Sequence, residues 1–464
     1  MNKPQSRRSF LVKSAVTTAG IATGMKMFGS PQKASVHAVK DKIRMGFIGI
    51  GNRGSQLMNY FMRNEDVEVA ALCDVYEPYL NRDLRLVHPS YLATGKVPKM
   101  EAKFPKQPKL YSNYRKLLED KEVDAVCIAT PDHWHAIMTI EAIQAGKDVY
   151  CEKPLTKTIL EGRKMVEAQA ASKQVVTVGL QRRACATYQK LAREIPAGKI
   201  GKVSMSHSAR VNDMWPNGIG KLEPADPPKN FDWDRWLGPR AYRPYQYNIA
   251  PYFFRWWDDY SSQMGNWGVH FLDVTRWMMG ETAPSAISAV GGKYVLDHDG
   301  DIPDTCSVVF EFASGSIANF GIYEGSSGTL VPWGEVEMRG TKGTIQTQQK
   351  GYRVTPTHRG QFQDWDPQIE AEEWNLPKPM KGDRSGSGLS TVNLIRDFLD
   401  CIKSRNTPLC TLEEGHRSTS FAHLANIALK TRERLEWDSV AERFTNSDAA
   451  NELLHYEYRK PYKL

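Results

Sequence analysis

From Ile43 to Leu180 the chain alternates short apolar runs with amphipathic stretches. The apolar run Ile43–Ile50 ends in glycines and is followed by a helix-like stretch, Ser55–Arg63. A second apolar run, Val67–Leu72, is closed by Asp74. The pattern then predicts a helix over Tyr114–Asp120, a strand over Val123–Thr130, a helix over Trp134–Ala145 and a strand over Lys147–Cys151. A helix over Thr158–Ser172 and a strand over Gln174–Leu180 complete the series. Strand–helix repetition at this spacing predicts an α/β fold with a doubly wound parallel sheet. Residues 82–109, basic and proline-bearing, read as an insertion between the second and third strands. The second half differs. Lys202–Val211, Ala286–Val295, Cys306–Phe312, Ser316–Tyr323 and Val336–Gln348 are strand-like and joined by glycine turns such as 313–315 and 340–343.

The full chain has 464 residues, enough for two or three domains at about 150 residues each. No run reaches the 18 or so apolar residues of a spanning helix. The net charge of +8 is concentrated at the start. Residues 1–38 hold six basic side chains and no acidic one, and without them 55 basic residues face 53 acidic ones. The excess therefore marks a leader, not a nucleic-acid surface. Arg7–Arg8 followed by Phe10–Leu11, a mild apolar stretch and small residues near Ala38 resemble a twin-arginine signal. The expected organisation is a signal over 1–38, a nucleotide-binding domain over 39–182 and a substrate and oligomerisation domain over 183–464. The seven cysteines are too few and scattered for a disulfide framework, with a Cys401–Cys410 pair the only bridge worth weighing.

Gly49-Ile50-Gly51-Asn52-Arg53-Gly54 has the spacing of a dinucleotide-binding turn. Gly49 permits the sharp turn, Gly51 lets backbone approach a pyrophosphate, and Gly54 lets helix pack against strand. The following helix offers free N–H groups and its positive dipole end to phosphates, with Asn52 and Arg53 in the turn that leads into it. Asp74, twenty residues past Gly54, is placed to bind both ribose hydroxyls. No basic residue follows it directly, so NAD is expected rather than NADP. Ligands of such sheets lie beyond the carboxyl ends of the strands, where three polar groups fall: Thr130-Pro131-Asp132-His133-Trp134-His135, Glu152-Lys153-Pro154 and Gln181-Arg182-Arg183.

The glycine turn, Thr130-Pro131…His135, Glu152-Lys153-Pro154 and Gly265-Asn266-Trp267-Gly268-Val269-His270 together resemble the glucose–fructose oxidoreductase / inositol dehydrogenase (Gfo/Idh/MocA) family. Residues 392–437 resemble its carboxyl-terminal helices. The resemblance implies a Rossmann domain followed by an α+β domain with a large, mostly antiparallel open sheet, the last helices packing back on the first domain. It implies catalysis by Lys153 and His270, with Thr130, Asp132, Trp134, His135, Glu152, Lys153 and Gln181 on the coenzyme side. Arg183 and Asn266 fall to the substrate. Many relatives carry an aspartate where Asn266 stands. An amide can orient a hydroxyl but cannot carry a proton, so His270 either works with Lys153 alone or serves a reaction other than simple dehydrogenation.

The segment 213–260 is dense in aromatics. Aromatic faces stack on the C–H faces of sugar rings, and Trp256 and Trp257 are the candidates for that contact. A sugar, sugar derivative or cyclitol is the expected substrate. A metal at His133 and His135 is disfavoured for want of a third ligand. If the signal works, NAD is expected to stay bound outside the cytoplasmic membrane and turnover to be redox-neutral. Two forms remain open: oxidation of one sugar with reduction of another, and glycosidic cleavage through transient oxidation and elimination. A non-catalytic, NAD-containing sugar-binding protein is the alternative of another class. A dimer or tetramer is expected from the family's habit of assembling through its open sheet.

Overall fold

The computed structural model describes residues 42–362, 364–376 and 387–464, so the expected signal lies outside the described residues. Six strands form the first sheet: β1 (Ile43–Ile48), β2 (Val67–Cys73), β3 (Lys109–Tyr111), β4 (Ala125–Ile128), β5 (Asp148–Cys151) and β6 (Val176–Val178). All pairings are parallel and the order is β3-β2-β1-β4-β5-β6. The order reverses between β1 and β4, so the loops leaving these strands splay to opposite sides and open a crevice at their carboxyl ends. Strands β4, β5 and β6 are buried throughout, which explains their unbroken apolar runs.

The helix after β1 begins at Asn52, three residues earlier than its periodicity suggests. Its apolar face, Leu57, Met58 and Phe61, starts only in the second turn. Phe61 meets Phe47 edge-on at 5.6 Å and Tyr150 at 5.7 Å, tying helix to sheet. Residues 82–109 fold into short turns, with Tyr91 and Met100 buried, and end in the three-residue strand β3.

The second sheet has ten strands: β7 (Val203–Val211), β8 (Ala286–Gly292), β9 (Thr305–Glu311), β10 (Ile317–Tyr323), β11 (Val336–Gly340), β12 (Gly343–Gln348), β13 (Gly351–Pro356), β14 (Glu372–Asn375), β15 (Leu435–Asp438) and β16 (Arg443–Phe444). Their order is β14-β13-β12-β11-β7-β10-β9-β8-β15-β16, antiparallel except for β7 with β10. The expected strand Val336–Gln348 is a hairpin, turned at Thr341–Lys342 between β11 and β12.

One face of this sheet is covered by the helices Val269–Met279 and Leu412–Thr431, through Phe271 on Phe320 (5.5 Å) and Phe421 on Phe310 (5.1 Å). The helix Ser387–Ser404 reaches back to the first sheet. Its Phe398 packs on Phe61 and Tyr150, and its Arg396 grips Asp66 through two N–H groups at 2.9 Å. Arg405 reaches Asp148 at 2.7 Å. All seven cysteines are free and buried, so Cys401 and Cys410 are not bridged. No helix among the described residues is long and apolar enough to cross a membrane.

Candidate active site

The crevice beyond β1 and β4 is a cavity of about 230 Å³. Its floor is the glycine turn. Gly49 has φ +79°, a conformation glycine adopts without strain, and a Cβ there would lie 2.9 Å from the Thr130 backbone. Around Gly51 the space is open, with the edge of Tyr79 as nearest neighbour at 3.9 Å from a notional Cβ. Gly54 does not reach the cavity; it holds helix to turn, since a Cβ there would lie 1.9 Å from the Gly49 carbonyl oxygen. The first turn of the helix has no side-chain cap and no acidic residue, so its amides stay available to an anion. Arg53 Nη2, a donor, is buried there without a partner. The set fits a dinucleotide pyrophosphate.

Asp74 lines the same cavity. Its carboxylate accepts the Ile50 N–H at 2.8 Å and the Tyr76 N–H at 3.0 Å, which fixes its orientation. Burial raises its pKa to about 6 against these hydrogen bonds. Ribose hydroxyls would restore the polar surroundings it lacks.

Lys153 stands at the cavity wall, between the first domain and the segment Met264–Gly268. That segment is a single π-helical turn running into the helix Val269–Met279, and it turns the Asn266 carbonyl and amide oxygens toward the lysine. Lys153 Nζ donates to Asn266 O at 2.7 Å and approaches its Oδ1 at 3.4 Å. The Asn266 amide nitrogen donates to Gln263 Oε1 at 3.1 Å, which fixes the amide with its oxygen toward Lys153. Burial lowers the Lys153 pKa to about 8, the carboxylates of Glu152 and Asp132 opposing and the guanidinium groups of Arg255 and Arg53 assisting. Glu152 is held by Arg53 Nε at 2.8 Å and by the Lys153 N–H at 3.0 Å. Asp132 accepts the Ser261 hydroxyl at 2.5 Å.

Thr130, Asp132, Trp134, Glu152, Lys153 and Asn266 thus meet the glycine turn and Asp74 in one cavity. Other expected residues do not reach it. His270 is buried behind the wall, with Nδ1 unpartnered. Burial and the nearby charges of Lys153, Arg182 and Arg53 push its pKa well below the usual histidine range. His135 lies outside the cavity lining and braces it: Nδ1 lies 2.8 Å from the Pro154 carbonyl and Nε2 2.9 Å from the Thr130 carbonyl. Burial opposes charge on this ring, but Cys151 first, then Asp132 and the Pro154 carbonyl, raise its pKa to about 10. The brace locks the two strand-end loops together.

Arg183 is consumed by structure: its guanidinium pairs with Asp273 at 2.7 Å and Glu414 at 2.8 Å, buried under the helix Leu412–Thr431. Gln181 lies outside the cavity lining, its Oε1 buried and unpartnered. Trp256 and Trp257 also lie outside it. Their indole N–H groups donate to Glu324 at 2.9 Å and to the Asn248 carbonyl at 2.8 Å, and both rings are buried in the core. The aromatics that do line the cavity include Tyr76, Tyr79, Tyr114, Trp134, Tyr252 and Phe254. Arg255 and Lys96 also line it and carry no sequence motif.

A parallel sheet with a phosphate cradle, a ribose-binding acid and a lysine at the far end defines a nicotinamide-dependent oxidoreductase. Residues 43–180 match the oxidoreductase family, NAD-binding Rossmann fold, and residues 240–434 match its C-terminal alpha/beta domain. The chain belongs to this Gfo/Idh/MocA family. It is 31% identical over 178 residues to a glycosyl hydrolase family 109 protein of Shewanella baltica, covering 35% of this chain and 36% of that protein. It is 30% identical over 172 residues to inositol 2-dehydrogenase of Salmonella paratyphi B, covering 37% of this chain and 46% of that one. The matched stretch therefore spans less than half the length of these relatives. The fold is similar to that of levoglucosan dehydrogenase in complex with NADH and levoglucosan, at a TM-score of 0.61 and 18% identity, covering 85% of this chain and 99% of the other.

Proposed function

We propose that the chain acts on a CH–OH group of a sugar, a sugar derivative or a cyclitol, with NAD retained through turnover. The observation that carries the reading is Lys153: an amine at the wall of the coenzyme cavity, anchored on Asn266 and with its pKa lowered to about 8. NAD, when bound, supplies the hydride acceptor and donor. Glycine turn and Asp74 would hold it. Lys153 would hydrogen-bond the reacting hydroxyl and take its proton, because a large share of its amine is neutral at mildly alkaline pH. Asn266 orients that amine from behind. Burial disfavours the charged form of His270, so in this reading Lys153 carries the proton.

Retention of the coenzyme follows from the proposed leader. An exported enzyme meets no soluble coenzyme pool, so oxidation and reduction must balance on one bound NAD. We also propose residues 1–38 as a twin-arginine signal directing the folded protein to the periplasm, and a homodimer or tetramer as the assembly. Relatives described as glycosyl hydrolase family 109 proteins favour a second form of the same chemistry. In it, transient oxidation of a ring carbon acidifies the adjacent C–H, a base removes that proton, the glycosidic oxygen departs, and water and reduction complete the cycle.

The test incubates purified protein, without added NAD, with a panel of sugars and aryl glycosides, following reduced-nicotinamide absorbance and product together. A transient rise with product release is expected, lost in Lys153→Ala. Turnover that requires added NAD and accumulates NADH overturns the redox-neutral reading. Absence of both absorbance change and product across the panel overturns the catalytic one.

A further inference from the structure

Buried arginines in this fold are paired: Arg182 with Glu335 at 2.9 Å, Arg183 with Asp273, and Arg276 with Glu414 at 2.5 Å. Arg255 is half-buried and differs from them. It lines the coenzyme cavity, donates to the Tyr252 carbonyl at 2.5 Å, and forms no ion pair among the described residues. The carboxylates within its electrostatic reach, Asp132 and Glu152, are already engaged by Ser261 and Arg53. Its guanidinium lies 4.4 Å from the centroid of the Tyr252 ring. A second cation, Lys96 from the insertion between β2 and β3, lies 5.9 Å from that ring and also forms no ion pair among the described residues.

The two charges therefore flank one aromatic ring at the rim of the cavity. Both line the cavity floored by the glycine turn, together with Lys153 and with Tyr79, whose edge lies nearest to Gly51.

We propose that Arg255 and Lys96 close over the coenzyme's pyrophosphate from the side opposite the glycine turn, so that the phosphates are held between backbone amides below and a cationic clasp above. The proposal rests on NAD binding alone and not on the redox-neutral reading. A substrate carboxylate is the competing anion, but it would need Arg255 only. Lys96 supplies a second charge in the cavity that holds Gly51 and Tyr79, and two cations suit the phosphates better than one carboxylate.

The test is calorimetric titration of nucleotide-free protein with NAD and with ADP-ribose at several salt concentrations. Arg255→Ala is expected to weaken both ligands by about 10- to 100-fold, the loss of a charge-assisted contact. Arg255→Lys is expected to retain part of the affinity, and Lys96→Ala, at an exposed position, to lose about 2- to 5-fold. Each alanine variant is expected to flatten the salt dependence of NAD affinity, a readout that a merely structural role would not move. Unchanged NAD affinity in Arg255→Ala overturns the proposal. So does a loss with unaltered salt dependence, or a loss confined to anionic substrates.

Discussion

Replacing Lys153 with methionine is expected to stabilise the folded chain while abolishing turnover. Burial holds the ammonium at a pKa of about 8 rather than its ordinary 10.5. Such a difference disfavours the charged form in the folded state by about 3 kcal/mol. Methionine removes that cost but leaves the Asn266 carbonyl without its donor, a loss of about 1 kcal/mol. The net gain at pH 7 is about 2 kcal/mol, or roughly 2 to 4 °C in melting midpoint for a chain of this length. The sign follows from linkage: the folded pKa lies below the unfolded one, so the penalty in the native protein is complete below about pH 8 and fades as pH rises toward 10.5. Denaturant titrations of nucleotide-free native protein and Lys153→Met at pH 7 and pH 10 supply the assay. The advantage of the variant should be present at pH 7 and largely gone at pH 10. A variant less stable than the native chain at pH 7, or an advantage that does not change with pH, would refute the reasoning about burial.

Three further outcomes follow from the geometry. Gly54→Ala places a methyl carbon 1.9 Å from the Gly49 carbonyl oxygen and should weaken NAD binding by more than about 10-fold, measured by titration calorimetry. Asn266→Asp sets a carboxylate beside Lys153 Nζ, raises its pKa, and should move the acid limb of the kcat/KM profile to higher pH by about one unit. Arg396→Ala removes the larger of the pairings that hold the Asp66 carboxyl well below its usual range. It should cost about 1 to 2 kcal/mol at pH 7, a cost that shrinks as pH falls below the ordinary aspartate value near 4, because the native contribution is lost as Asp66 protonates.

How much of this was legible in the chain depends on whether a residue's partners are near it in sequence. The first sheet and its turn are local: Gly49, Gly51, Gly54 and Asp74 lie within 26 residues and each has a backbone reason for its place. The turns Thr130–His135 and Glu152–Pro154 could be placed because strand ends face the crevice in any such sheet. The failures involve distant partners. Arg183 read as a ligand-facing arginine because Asp273 and Glu414, which bury it, lie far along the chain. Trp256 and Trp257 read as sugar platforms because composition does not reveal which face of an irregular segment turns inward. Arg255, immediately before them, is the residue that faces the cavity. Lys96 and Tyr79 lie in or beside an insertion without periodicity. The strands β13 and β14 escaped notice because the second sheet continues past the last glycine turn that had been recognised.

The most direct measurement is a crystal structure of the protein with NAD and a sugar that it turns over. The account expects the pyrophosphate on the Gly51 turn, a ribose on Asp74, and the sugar hydroxyl beside the pyridine ring within hydrogen-bond reach of Lys153. A coenzyme bound elsewhere, or a sugar whose hydroxyls all lie away from that amine, would contradict it.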